Sequence, residues 1–372
     1  MTTRRNFLKG AGLAGASAGL VGLPVAAAMA AAAKPAPQPA PLPTAAQKKW
    51  MDLKFGMFIH FGINTYYDAE WSDGTLDPAK YNPTDLDTDQ WVGAAKAAGM
   101  KYVVLVTKHH DGFCNWPTRH NDYSIKATAT KGDVVRAVVD SARKQGLEVG
   151  LYYSLWDRHE KSHDTNDWAY VEFMKNQLHE LLTGYGPIVE LWFDGFWKKQ
   201  KSGWTEKPRG AELAEEARRR DRDFVNAWRC EGAFRWQMDH VYQYIKQIQP
   251  DCLVMNNATG AYPGVPLHPV DIRSGEKATK VVEYPTIWQF LGKDIYLPMQ
   301  IETTMSQEGR KQFLSGSWFW HEWDHTVATK EQILQWLENA RRMEANLLLN
   351  VGPMASGKLR PEDEKALRNL RG

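Results

Sequence analysis

The sequence predicts an α/β fold, a (β/α)8 TIM-like barrel forming one domain over residues 47–372. Three observations carry that prediction. Short, continuously apolar runs recur, each followed by a stretch of helical spacing. The starts of the first runs stand roughly 45 residues apart, room for one βα unit and a long loop. Polar residues gather where the apolar runs end. An open doubly wound sheet shares the local rhythm, but no glycine-rich phosphate loop follows the first run, and chemistry collected at strand C-terminal ends marks a barrel.

Taken in order, Phe55 to Phe61, Tyr102 to Thr107, Leu147 to Leu155, Ile188 to Phe193 and Cys252 to Asn256 read as strands. They are too continuously apolar for surface hairpins and suit buried parallel positions. Between them, Thr88 to Ala98, Asp133 to Gln145, Asn166 to Thr183 and Phe234 to Gln249 read as helices, with Asp or Asn near the starts and Gly99, Gly146 and Gly184 near the ends. Beyond Asn256, Pro298 to Thr304, Ser317 to His321 and Asn346 to Val351 read as later strands, and Glu331 to Met343 as a helix. The charged stretch Glu206 to Asp223 reads as a solvated helix on an insertion.

Composition narrows the function classes. With 43% hydrophobic and 24% charged residues, the 372-residue chain is not disordered, collagenous or a coiled coil. Its 46 basic and 44 acidic side chains leave a net charge of +2, so no overall field favours nucleic acid or an anionic membrane. Cys114, Cys230 and Cys252 are too few for a disulfide framework.

The N-terminus carries its own message. Thr3-Arg4-Arg5-Asn6-Phe7-Leu8-Lys9 precedes an uncharged run from Gly10 to Ala33, with Ala28 and Ala30 where a signal peptidase could cut. Residues 1–33 read as a twin-arginine export signal, which implies transient engagement of the Tat translocase, no stable membrane insertion, and a periplasmic or secreted product. The run is long enough for a transmembrane anchor, but its Gly and Ala content makes that transfer weak. Residues 34–46, alternating Pro with Ala, read as a polyproline-prone linker.

The strand ends supply the candidate site. Asp194 lies between an apolar strand and a glycine in Leu191-Trp192-Phe193-Asp194-Gly195, with Trp192 and Trp197 nearby. A carboxylate there is a nucleophile, a base, a metal ligand or a helix cap. The tryptophans favour a sugar, because aromatic faces stack on the C–H face of a pyranose. Cleaving a glycoside takes a second carboxyl group. Glu70, Glu276, Glu283 and Glu302 are the candidates, with Glu276 on the Gly/Pro-flanked loop Asp271-Ile272-Arg273-Ser274-Gly275-Glu276. His109 and His110 are adjacent, so on a regular strand they would point to opposite sides and not chelate one ion. No spaced His/Cys ligand set accompanies them, so neither metal nor cofactor is expected. With His60 they read as hydrogen-bonding partners for a polyhydroxylated ligand. Cys114, with no identifiable base, reads as packing.

These segments resemble the retaining α-L-fucosidases of glycoside hydrolase family 29. The resemblance lies in Lys54-Phe55-Gly56-Met57-Phe58-Ile59-His60-Phe61-Gly62, Glu70-Trp71, Thr107-Lys108-His109-His110-Asp111-Gly112-Phe113, Gly150-Leu151-Tyr152-Tyr153-Ser154, the Asp194 segment and Asn346-Leu347-Leu348-Leu349-Asn350-Val351-Gly352-Pro353. It runs in order from about Trp50 to the end. It implies hydrolysis of terminal α-L-fucosyl residues from a fucosylated oligosaccharide or glycoconjugate, with Asp194 as nucleophile and Glu276 as acid/base. It also implies a fucose subsite lined by His60, Glu70, Trp71, His109, His110, Tyr153 and Trp192. Two positions depart from the family pattern: Phe61 stands where many members have Trp, and Ala258 where many have Arg. They raise the alternative of an α-L-galactosidase with the same mechanism. An inactive secreted sugar-binding protein is the alternative from another class. The chain ends just after the barrel's closing motif, so the C-terminal β-sandwich of many relatives is expected to be absent.

Overall fold

The computed structural model describes residues 40–195, 236–257, 268–283, 285–308 and 316–371. The export segment, Trp197, the charged stretch 206–223, Cys230, Phe234 and Ala258 lie outside the described residues. Among the described residues no helix is long and apolar enough to cross a membrane.

Among the described residues the first helix is α1 (Ala45–Met51). The Thr44 hydroxyl accepts from Gln47 N at 3.1 Å while Thr44 N donates to Gln47 Oε1 at 2.9 Å, a reciprocal cap that satisfies two otherwise orphaned donors. The helix therefore begins inside the expected 34–46 linker. Gln47 Nε2 also donates to the carbonyls of Asp271 and Tyr296, tying α1 to the barrel.

Eight parallel strands close the barrel: β1 (Phe55–Ile59), β2 (Tyr102–Lys108), β3 (Glu148–Ser154), β4 (Glu190–Asp194), β5 (Leu253–Asn256), β6 (Ile272–Ser274), β9 (Met299–Thr304) and β10 (Asn346–Val351), with β10 pairing back onto β1. An antiparallel hairpin, β7 (Ile287–Phe290) and β8 (Lys293–Tyr296), is inserted between β6 and β9. The α-helices among the described residues that follow α1 are α2 (Thr88–Ala98), α3 (Val134–Gln145), α4 (Ser162–Thr165), α5 (Asp167–Gly184), α6 (Met238–Ile248), α7 (Lys330–Arg342) and α8 (Pro361–Arg368). Asp87, Asp133 and Asn166 cap α2, α3 and α5 with their side-chain oxygens, as the acidic and amide residues at those starts predict.

Two sequence expectations fail here. Ser317 to His321 is not a strand: the N–H groups of Trp318 and Phe319 donate to the Glu70 carboxylate, not to a neighbouring strand. The DIRSGE segment, read as a loop, contributes strand β6, whose three residues are too few for a periodicity to declare itself.

Alternation along the strands divides the core in two. Phe58, Tyr102, Val104, Val106, Tyr152, Trp192, Met255, Ile272 and Leu348 point into the barrel, with Trp50 of α1 packed among them. Their neighbours, among them Met57, Val103, Leu105, Leu151 and Tyr153, face the helices. Each such buried large apolar side chain contributes about 1.5–3 kcal/mol relative to exposure. The lower barrel also holds Glu190, which accepts from Trp50 Nε1 and from Gln300 Nε2, and burial pushes its carboxyl up to about 7.

Candidate active site

The strand C-terminal ends converge on one rim, where Ser154 pairs with Asp194, Phe193 with Asn256 and Thr304 with Asn350. Asp194 closes β4 with a side chain 13% exposed. Three donors reach its carboxylate: Gly195 N at 2.8 Å and Asn257 Nδ2 at 3.2 Å on Oδ1, and the Tyr152 hydroxyl at 3.1 Å on Oδ2. Gly195 adopts φ +70°, and a Cβ there would lie 2.6 Å from Trp156 Cβ, so the residue after Asp194 must be glycine to turn its N–H onto the acid.

Asn257, just past β5, donates to Asp194 and, with the same nitrogen, to Glu276 Oε2 at 2.8 Å. By the two contacts together, the facing oxygens of Asp194 and Glu276 lie within about 6 Å of each other, close enough for one small ligand group to touch both. Glu276 sits at the exposed rim. Of the other candidate acids, Glu283 is exposed and Glu302 is fully buried. Burial, and next the charge of Glu276, push Asp194 up to about 7 against its three donors. The free site therefore does not hold Asp194 as a firm anion.

The histidines come together. β2 ends at Lys108, so His109 and His110 lie beyond the strand, and their rings approach to 4.2 Å between centroids, not opposite faces. His60 lies 5.7 Å from His109. Burial lowers His60 and His110 to about 3 and His109 well below its ordinary value, so all three rings are neutral, each with one donor and one acceptor nitrogen. The Asn350 amide nitrogen donates to Thr304 Oγ1 and the Trp318 carbonyl, so Asn350 Oδ1 accepts from His60 Nδ1 at 2.7 Å, leaving His60 Nε2 as an acceptor. Ser154 gives its proton to the Trp156 carbonyl and accepts from His110 Nδ1 at 2.7 Å, so His110 Nε2, 3.6 Å from Asp194 Oδ2, is an acceptor as well. Acceptors around an acid suit a ligand rich in hydroxyl donors.

Glu70 is buried, and its carboxylate is occupied by Trp318 N, Phe319 N and His321 Nε2, so it anchors the segment that carries Trp318 over His60. Trp71 is half-buried with its ring 6.4 Å from His110. Trp192 lies just below the site, stacked on Tyr152. Tyr153 is a correction. Its hydroxyl accepts from Lys108 Nζ and donates to Gln177 Oε1 of α5, outside the barrel, and Tyr152 takes the place at Asp194, because successive strand residues face opposite sides. Phe61, one of the two departures from the family pattern, packs against Tyr66, Tyr81 and Trp91 in the outer core.

Sequence reasoning missed Asn257, Tyr152, Trp318 and Lys277. The first two carry a signal: Asn257 follows a strand end like the other candidates, and Tyr152 shares the inward register of Trp192. Trp318 and Lys277 carry none, because loop paths bring them there. Lys277 Nζ lies 4.4 Å above the Trp318 ring, and burial lowers it to about 8 against the attraction of Glu276 and Glu70. Cys114 is buried packing, its thiol pushed up by burial. Among the described residues no three His, Cys, Asp or Glu side chains are arranged to hold a metal ion.

Comparison with known proteins identifies the family. The α-L-fucosidase family model matches residues 77–371. The chain is 31% identical over 342 residues to α-L-fucosidase 1 of Arabidopsis thaliana, covering 88% of this chain and 59% of that protein. A putative α-L-fucosidase 1 of Oryza sativa is also 31% identical, with 87% and 57% covered. The chain thus spans under two thirds of the length of these relatives. A crystal structure of a glycoside hydrolase 29 family member from an unknown rumen bacterium superposes with a TM-score of 0.68 at 28% identity, covering 89% of this chain and 57% of that one. With its parallel barrel and its strand-end acids, the chain belongs to the α-L-fucosidase family, glycoside hydrolase family 29.

Proposed function

We propose that the protein is a retaining exo-glycosidase that releases terminal α-L-fucosyl residues from fucosylated oligosaccharides or glycoconjugates. The observation that carries this reading is the single amide nitrogen of Asn257 shared by Asp194 and Glu276, which keeps a carboxyl oxygen of each within about 6 Å of the other and so supports two acids acting on one bond. In the first step a carboxylate oxygen of Asp194 bonds to the anomeric carbon, the bond to the leaving oxygen breaks, and the Glu276 proton passes to that oxygen. In the second, Glu276 takes a proton from water as the water oxygen bonds to the anomeric carbon and the Asp194 ester breaks. Free fucose leaves with the water-derived hydroxyl at its anomeric carbon, and both acids return to their starting protonation states. Burial raises the Asp194 carboxyl, and the three donors on it work against that rise and support the ionised form that attacks. His60 Nε2 and His110 Nε2 accept sugar hydroxyls, and Trp318 offers an aromatic face.

The decisive experiment traps the glycosyl-enzyme with a 2-fluoro-fucosyl substrate and maps the labelled peptide. Label on Asp194 is expected; label elsewhere, or none with a hydrolysable aryl α-L-fucoside, overturns the reading. Export by the Tat translocase to the periplasm or beyond is part of the proposal. It is supported by Arg4-Arg5 and the uncharged run after it, and by buried, unbridged Cys114 and Cys252. Fractionation with Arg4→Lys, Arg5→Lys should leave the protein in the cytoplasm.

A further inference from the structure

We propose that Glu302, in its protonated form, is a positioning residue that aims Asn257 at both acids through Ser274; this rests on the two-acid reading above. Asn257 presents Nδ2 to Asp194 and Glu276, so its Oδ1 faces back into the barrel, 2.8 Å from Ser274 Oγ. Ser274 Oγ is also 3.1 Å from Glu302 Oε2. A hydroxyl has one proton to give.

If that proton went to an ionised Glu302, Ser274 Oγ and Asn257 Oδ1 would meet lone pair to lone pair at hydrogen-bond distance. The amide would lose its anchor, and its flip would point oxygen at two carboxyl groups. If Ser274 donates to Asn257, its oxygen must accept from Glu302, and that requires a proton on the carboxyl. The second arrangement gives Asn257 Oδ1 a donor and leaves no two lone pairs facing each other across these contacts. The surroundings agree with it. Glu302 is fully buried, Gly275 N reaches Oε2 at 3.2 Å and Trp192 Nε1 reaches Oε1 at 3.4 Å. The charged groups that act on it are acids, Glu276 and Glu190, and burial followed by Glu276 holds its carboxyl well above the ordinary range. A neutral acid buried under a catalytic pair serves as a fixed donor, and its removal is felt at the pair with no contact to the sugar.

The test has two arms. At pH 9, where Asp194 and Glu190 have ionised, infrared spectra should retain the carbonyl band of a protonated carboxylic acid. Labelling the unaltered protein with ¹³C-glutamate should shift that band, and Glu302→Gln should remove it. In the second arm, Ser274→Ala should cut kcat on an aryl α-L-fucoside at least tenfold with KM within about threefold, and Ser274→Thr should restore most of it. The Asp194 infrared titration midpoint should rise in Ser274→Ala, because a donor to its carboxylate is lost. A purely structural Ser274 would lower Tm and leave kcat and that midpoint in place. Absence of the glutamate band at pH 9, or an unchanged midpoint in Ser274→Ala, overturns the proposal. Both infrared readouts stand even if no fucoside is cleaved, an outcome that would sink the proposed function and not the relay.

Discussion

Tyr152 donates to Asp194 across 3.1 Å, while Tyr153, one residue on, points through the opposite face of the same strand to Lys108 and Gln177. Burial keeps the Tyr152 phenol far above its ordinary pKa, so it stays a donor at every working pH. Tyr152→Phe is expected to lower kcat by roughly ten- to a hundredfold, the order of losing one fixed donor at developing charge. Tyr153→Phe should leave kcat within about twofold and destabilise the fold by about 1–3 kcal/mol, because buried partners lose a hydrogen bond. Steady-state kinetics and denaturant titration of the two variants check the pair.

Asp194 also sets a stability cost. Its folded-state pKa of about 7 exceeds the ordinary 3.8, so between those values the folded chain holds a proton that the unfolded chain releases. Stability therefore falls as pH rises from 4 to 7, and the penalty is complete above 7. Asp194→Asn should be inactive and, above pH 7, more stable than the parent by on the order of 2 kcal/mol, a gap that closes toward pH 4. Urea midpoints at pH 5 and 8 measure it, and an equal gap at both would refute the assignment.

His321 places Nδ1 2.6 Å from Asp68 Oδ1 and Nε2 2.8 Å from Glu70 Oε1, so only the imidazolium donates to both. Those two carboxylates outweigh burial and raise its pKa above 6.5. The stabilisation is full below the unfolded value and is lost as pH rises through the raised one. His321→Gln should therefore lower Tm at pH 6 and change it little at alkaline pH. Because Glu70 anchors the Trp318 segment, the same variant should raise KM more than it lowers kcat.

Gly195→Ala should be inactive and poorly stable, since φ +70° and a Cβ 2.6 Å from Trp156 combine strain with a clash. Restored folding at low temperature with turnover still absent would show that the N–H aimed at Asp194, and not stability alone, is what the glycine secures.

Much of this was legible in the chain. Apolar runs of strand length, capped helices and polar strand ends predict the barrel, because hydrophobic periodicity and capping are local properties that each segment carries alone. The DIRSGE strand escaped because three residues show no period, and Ser317 to His321 misled because an apolar run on a loop looks like one in a sheet.

The sequence by itself determined the barrel, the rim, and the acids Asp194 and Glu276 as candidates. Only the tertiary structure decided that Asn257 joins them, that Tyr152 and not Tyr153 serves Asp194, that His109 and His110 share one side, and that Glu70 holds a loop. The physical reason is that burial and hydrogen-bond partners at a barrel mouth come from loops and strands far apart in sequence. Their protonation and aim depend on the summed surroundings, which no single segment encodes.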